Sequence, residues 1–152
     1  MPRLSCWFIR AALLHLTLGA LFGGLILSAK GMPVALDWAW QLLPAHIQLM
    51  VGGWLLQLTL GMGYWILPRL NGTGERGRAR WAWTSFVALN GGVTGAAGVL
   101  LVRGAVSLPL LNWLLALAAT AQLLALCAFM AHAWPRVQPS FAKQRRRSAE
   151  RS

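Results

Sequence analysis

Three histidines are the side chains best suited to hold a metal ion or a haem iron, and their spacing limits what they can do together. His15 lies about eight residues into the first apolar run, His46 opens the second, and His132 closes the fourth. On helices rising about 1.5 Å per residue, His46 and His132 stand roughly 25 Å apart in depth, and His15 and His132 about 10 Å. They do not form one site within a chain. The acids offer less. Asp37, Glu75 and Glu150 all fall between or beyond the apolar runs, so paired-carboxylate chemistry has almost no raw material. Cys6 precedes the first run and Cys127 lies deep in the fourth, which supports neither a disulfide framework nor a zinc site. The glycine-rich stretch 71–80 lacks the Gly-Lys-Ser/Thr ending of a phosphate loop and reads as a short connection.

The second run is the most informative. It reads Pro44-Ala45-His46-Ile47-Gln48-Leu49-Met50-Val51-Gly52-Gly53-Trp54, then Gly61-Met62-Gly63-Tyr64-Trp65-Ile66-Leu67-Pro68-Arg69. On a helix, His46, Met50, Gly53, Gln57, Gly61 and Tyr64 share one face. An imidazole above a column of small residues is what a flat porphyrin needs to lie against a helix. Two plainer roles compete for His46: an interfacial histidine bonded to a loop, and a ligand to another metal.

This pattern resembles helix two of the catalytic subunit of haem-copper oxidases, in the cytochrome-oxidase and nitric-oxide-reductase-like branch and its short relatives. There a helix-two histidine near the outer surface is an axial ligand of the low-spin haem b, followed by Gly-Trp seven and eight positions on and by Tyr-x-x-x-Pro-Arg. His46, Gly53, Trp54 and the run Tyr64 to Arg69 match. Trp81, Trp83, Asn90, Gly91, Gly95 and Gly98 echo the family's next helix, so the likeness covers about residues 40 to 100. It implies haem b on His46, with Gly53, Trp54 and Gly61 lining the ring and Lys30 and Arg103 pairing with its propionates. His15, Met32 and His132 are secondary candidates. The family's second low-spin ligand, high-spin haem ligand and copper histidines come from later helices, and His46-Ile47-Gln48 stands where many short relatives have His-Ala-His. Oxygen or nitric oxide reduction is therefore not expected from this chain alone. A sixth ligand would come from Met32, from His46 of a second copy in a homodimer, from a partner subunit, or be absent.

The elements that must position these residues follow from composition. Of 152 residues, 57% are hydrophobic and 11% charged, with 14 Lys+Arg against 3 Asp+Glu. A soluble domain carries about a quarter charged residues. Four runs are long enough to cross a bilayer core of about 30 Å: about 7–28, 44–67, 81–102 and 109–134. Pro44 and Pro109 suit first turns, while Pro68 and Pro135 suit helix ends. The first run is too long for a signal-peptide core and lacks a clean cleavage site after it, so it is read as a retained helix. The fold expected is an all-α, integral membrane four-helix bundle over residues 1–135, followed by a basic, disordered tail, 136–152.

Twelve basic residues fall on one side: Arg3, Arg10, Arg69, Arg76, Arg78, Arg80, Arg136 and the five from Lys143 to Arg151. Only Lys30 and Arg103 fall on the other, which places the N-terminus and the C-terminus in the cytoplasm of a multi-pass protein of the cytoplasmic (inner) membrane. Basic residues at span ends are sorting signals, so nucleic acid is not expected as a partner. Most tryptophans cluster near run ends as interfacial anchors. Gly91, Gly95 and Gly98 with Ala88 form a small-residue face, suited to packing within the bundle or to dimerisation. The amides Gln57, Asn90, Asn112 and Gln122 are expected to bond across helices. The functional expectation is a haem b protein for electron transfer or an accessory role beside respiratory-complex subunits. The alternative is a cofactor-free assembly or interaction subunit.

Overall fold

The computed structural model describes residues 1–68, 79–106 and 108–137, all of them helical or in short connections. Among the described residues, four helices are long and apolar enough to cross a membrane: α1 (Arg3–Gly31), α2 (Val34–Ile66), α3 (Ala79–Ala105) and α4 (Pro109–Ala133). The basic connection and the tail beyond residue 137, with Arg69, Arg76, Arg78 and the Lys143–Arg151 charges, lie outside the described residues.

The first three helices start before their apolar runs alone suggest. Polar residues can continue a backbone ladder beyond the greasy stretch, so α1 begins at Arg3 and α3 at Ala79. The largest departure is in α2, which starts ten residues before Pro44. A 3-10 stretch, Asp37–Leu42, leads into the α-helical turn Leu43–Gln48, where Pro44 sits in the first turn and needs no N–H partner. Pro109 opens α4 as its spacing predicts.

Residues Leu49–Leu56 of α2 form a π-helical stretch, a wider turn that the apolar pattern did not signal. It contains the Gly52–Gly53 pair. Gly52 faces Val93 of α3 and Gln122 of α4, while Gly53 faces His15 of α1, so three neighbours close on one turn.

The helices alternate in direction. His46 meets Gly23, Met50 meets Gly19, Gly53 meets His15 and Gly61 meets Phe8, an antiparallel register along the whole of α1 and α2. The α3–α4 pair packs as closely, with Gly92 against Ala118 and Gln122. Thus α2 and α3 form the centre, with α1 and α4 at opposite corners.

Around an apolar core that includes Phe8, Leu89 and Val93, the exterior is far more apolar than that of a soluble protein. Ser5, His15, Gln57, Ser85, His132 and Arg136 are buried, while Leu14, Leu21, Leu27, Leu117, Leu123 and Leu124 face outward. Water disfavours so broad an apolar exterior, whereas lipid accepts it. Eight of the nine tryptophans are exposed near helix ends, and Trp54, at mid-helix, is half-buried.

The glycines yield a sharp test of this packing. A Cβ at Gly53 would lie 2.6 Å from His15 Cγ, and one at Gly61 2.6 Å from Phe8 Cβ, whereas Gly91 and Gly98 have nothing within 4 Å. Gly53→Val and Gly61→Val are expected to destabilise the purified protein by about 1–3 kcal/mol. Gly98→Val should leave its thermal midpoint close to wild type. Equal sensitivity at all three positions would contradict the register.

Candidate functional site

Four residues of the face read on α2, His46, Met50, Gly53 and Gly61, are turned toward α1, while Gln57 reaches Asn90 of α3 and Tyr64 stacks on His132 of α4. His46 Nδ1 lies 2.7 Å from the Gly19 carbonyl oxygen, and the ring rests on Gly23, whose Cβ would come 2.7 Å from His46 Cε1. A carbonyl can only accept, so Nδ1 carries the proton and the lone pair of the neutral ring is on Nε2. Below it, Met50 occupies the space over Gly19.

The bed expected for a porphyrin is therefore occupied. His15 fills the space at Gly53 and Phe8 fills the space at Gly61, both reaching across from α1. Helix packing accounts for the glycine column, because small residues let a neighbour's side chains approach the backbone. Trp54 points elsewhere on α2 and is half-buried. Lys30, Met32 and Arg103 are exposed near the ends of α1 and α3.

What the bundle does bring together is a buried polar core contributed by four helices. His15, which is 6% exposed, places Nε2 3.4 Å from Thr94 Oγ1. Gln57, fully buried, lies beside the imidazole and donates from Nε2 to Asn90 Oδ1 at 3.1 Å; Asn90 donates in turn to the Phe86 carbonyl at 2.8 Å. His15 Nδ1 and Gln57 Oε1 are both buried without a hydrogen-bond partner among the described residues. One level away, Gln48 donates to Gln122 at 2.9 Å and Gln122 to the Gly92 carbonyl at 3.2 Å. The amides do bond across helices, as their positions suggested, and Asn112 lines a surface cavity instead.

His132, at the end of the fourth helix, is buried. It is 2% exposed, stacked on Tyr64 with ring centroids 5.2 Å apart, and its Nε2 accepts from Arg136 at 3.0 Å. Arg136, assigned by sequence to the basic tail, belongs to the bundle. Its guanidinium is 5.6 Å from the Tyr64 ring and donates to the carbonyls of Tyr64, Leu67 and Pro68 at 3.3, 2.6 and 3.0 Å. These are the carbonyls that the end of α2 leaves unpaired, and a cation there also meets the negative end of the helix dipole. Pro68 alone signals a helix stop; nothing in the sequence pairs it with an arginine 68 residues on.

The three histidines have different neighbours, Gly53 for His15, Gly23 for His46 and Tyr64 for His132, and no cluster of three metal-ligating residues occurs among the described residues. Sequence reasoning missed Gly19 and Gly23, although Gly19-x-x-x-Gly23 is itself a close-packing spacing. No family model matches the chain, and no curated protein or solved structure is significantly similar to it. The likeness to haem-copper oxidases thus rests on the residues of its second and third helices alone.

The polar core makes a measurable prediction. Gln57→Leu leaves the half-buried Asn90 Oδ1 without its donor and should cost about 1–2 kcal/mol of stability. In the double variant Gln57→Leu/Asn90→Leu the losses should not add, with a coupling of about 0.5–1.5 kcal/mol by unfolding in detergent. Strict additivity would show that the two amides do not interact.

Proposed function

We propose that this protein is a multi-pass subunit of the cytoplasmic membrane, with both termini cytoplasmic, that works without a cofactor by docking another transmembrane helix. The carrying observation is the contrast between its two glycine faces. On α2, Gly53 and Gly61 are filled by His15 and Phe8. On α3, Gly91 and Gly98 are exposed and nothing lies within 4 Å of where a Cβ would stand. A transmembrane helix associates where small residues let backbones approach. The α3 face offers such a strip, flanked by Val87 and Thr94, to a respiratory-complex subunit or to a second copy. The broad apolar exterior supports lipid as the solvent, and the bias of twelve basic residues against two supports the orientation.

One observation favours a second reading, haem b on His46. The bond from Nδ1 to the Gly19 carbonyl fixes the ring with its lone pair on Nε2, the arrangement an axial ligand needs. The filled glycine column weighs against it.

A visible spectrum of the detergent-purified protein with its pyridine haemochrome separates the two. A folded, colourless preparation is expected. A Soret band lost in His46→Ala but retained in His132→Ala would overturn the cofactor-free reading and establish the second. For docking, Gly91→Leu or Gly98→Leu should abolish cysteine cross-linking from the α3 face within membranes while leaving thermal stability intact. Cross-linking that survives both substitutions would remove α3 as the docking face.

A further inference from the structure

At the end of the bundle opposite the termini, Arg103 forms a shared wall between two adjoining cavities. One, of about 350 Å³, is lined by Arg103, Leu108, Pro109 and Asn112. The other, of about 280 Å³, is lined by Trp40, Gln41, Pro44, Leu100, Arg103 and Gly104. Small-molecule sites begin at about 300 Å³, so the pair is large enough for a compact polar head with the start of an apolar chain.

The lining chemistry selects a charge. Among the described residues, Arg103 is the one ionised group in either wall, and no carboxylate lines the cavities. Among the described residues it makes no ion pair or hydrogen bond. Asn112 on one side and Gln41 on the other add amide donors. The first turn of the 25-residue α4 opens onto the same cavity with its positive dipole end. Around these polar groups Trp40, Leu100 and Leu108 form apolar walls. A guanidinium fork beside amide donors fits an oxyanion in a bidentate manner, and a phosphate satisfies it better than a neutral head.

We infer that the paired cavities around Arg103 bind a phosphate group, held by Arg103 with Asn112 and Gln41, and that its apolar continuation lies against Trp40 and Leu100. The chemistry is common to an anionic phospholipid headgroup and to a free phosphate. Neither the docking face of α3 nor His46 takes part, so the site stands or falls separately from the function proposed above.

The test is a titration of the detergent-purified full chain, read as its thermal midpoint, with dihexanoyl phosphatidylglycerol, with dihexanoylglycerol lacking phosphate, and with inorganic phosphate. The phosphatidylglycerol should raise the midpoint and the phosphate-free lipid should not. Half-saturation should move at least about tenfold higher in Arg103→Gln, the loss expected on removing a charged hydrogen-bond donor. Arg103→Lys should recover part of the response, and Lys30→Gln should leave it unchanged. Asn112→Leu, which keeps the arginine, should weaken it in the same direction. An equal rise with inorganic phosphate alone assigns the site to a free anion; a rise only with phosphatidylglycerol assigns it to a lipid head. An undiminished response in both Arg103→Gln and Asn112→Leu, or an equal response to dihexanoylglycerol, would overturn the proposal.

Discussion

The structure depends on an exchange of glycines for side chains along the antiparallel α1–α2 pair. Where α1 has Gly19 and Gly23, α2 inserts Met50 and His46; where α2 has Gly53 and Gly61, α1 inserts His15 and Phe8. In lipid the hydrophobic effect does not drive helices together, so close van der Waals contact must do so. Reciprocal notches achieve it over the full length of both helices. They also fix the register, because sliding α1 by one turn would drive His15 and Phe8 into positions that carry side chains.

That register decides where polarity can be buried. Once His15 lies on Gly53, its ring reaches Thr94 of α3 on one side and the Gln57 side chain on the other. Gln57 then reaches Asn90, and Asn90 returns to the Phe86 carbonyl one turn earlier. A directional chain of this kind ties α1, α2 and α3 at mid-length, where an apolar surrounding makes each bond stronger and each unmade bond costlier. The π turn at Leu49–Leu56 sits at the same level, where α2 is contacted from several sides at once.

At the terminal end the constraint is different in kind. The carbonyls at and just past the end of α2 have no successor turn to bond with, and Arg136, just beyond α4, supplies donors to those of Tyr64, Leu67 and Pro68. Stacking of His132 on Tyr64 and the guanidinium over the same ring hold the cap in place. The α2–α4 contact is thus secured by a polar clamp at this end and by the Gln48–Gln122 bond further along.

The amino-acid sequence by itself determined the helices, their number and the face of α2 that matters. Run length, apolar composition and the placement of Pro44, Pro109 and Pro68 are local properties that do not depend on what a helix touches. The shared face of His46, Met50, Gly53 and Gly61 follows from helical periodicity alone. What occupies that face was decided only by tertiary structure. A glycine column is equally suited to a flat ring and to a neighbouring helix, and only the register of α1 shows that His15 and Phe8 fill it. The same holds for Arg136 and His132: adjacency to a basic tail says nothing about a carbonyl 68 residues earlier in the chain. Which glycines face inward and which outward, at Gly92 against Gly91, is likewise set by where α4 packs, because residues one apart on a helix point about 100° away from each other.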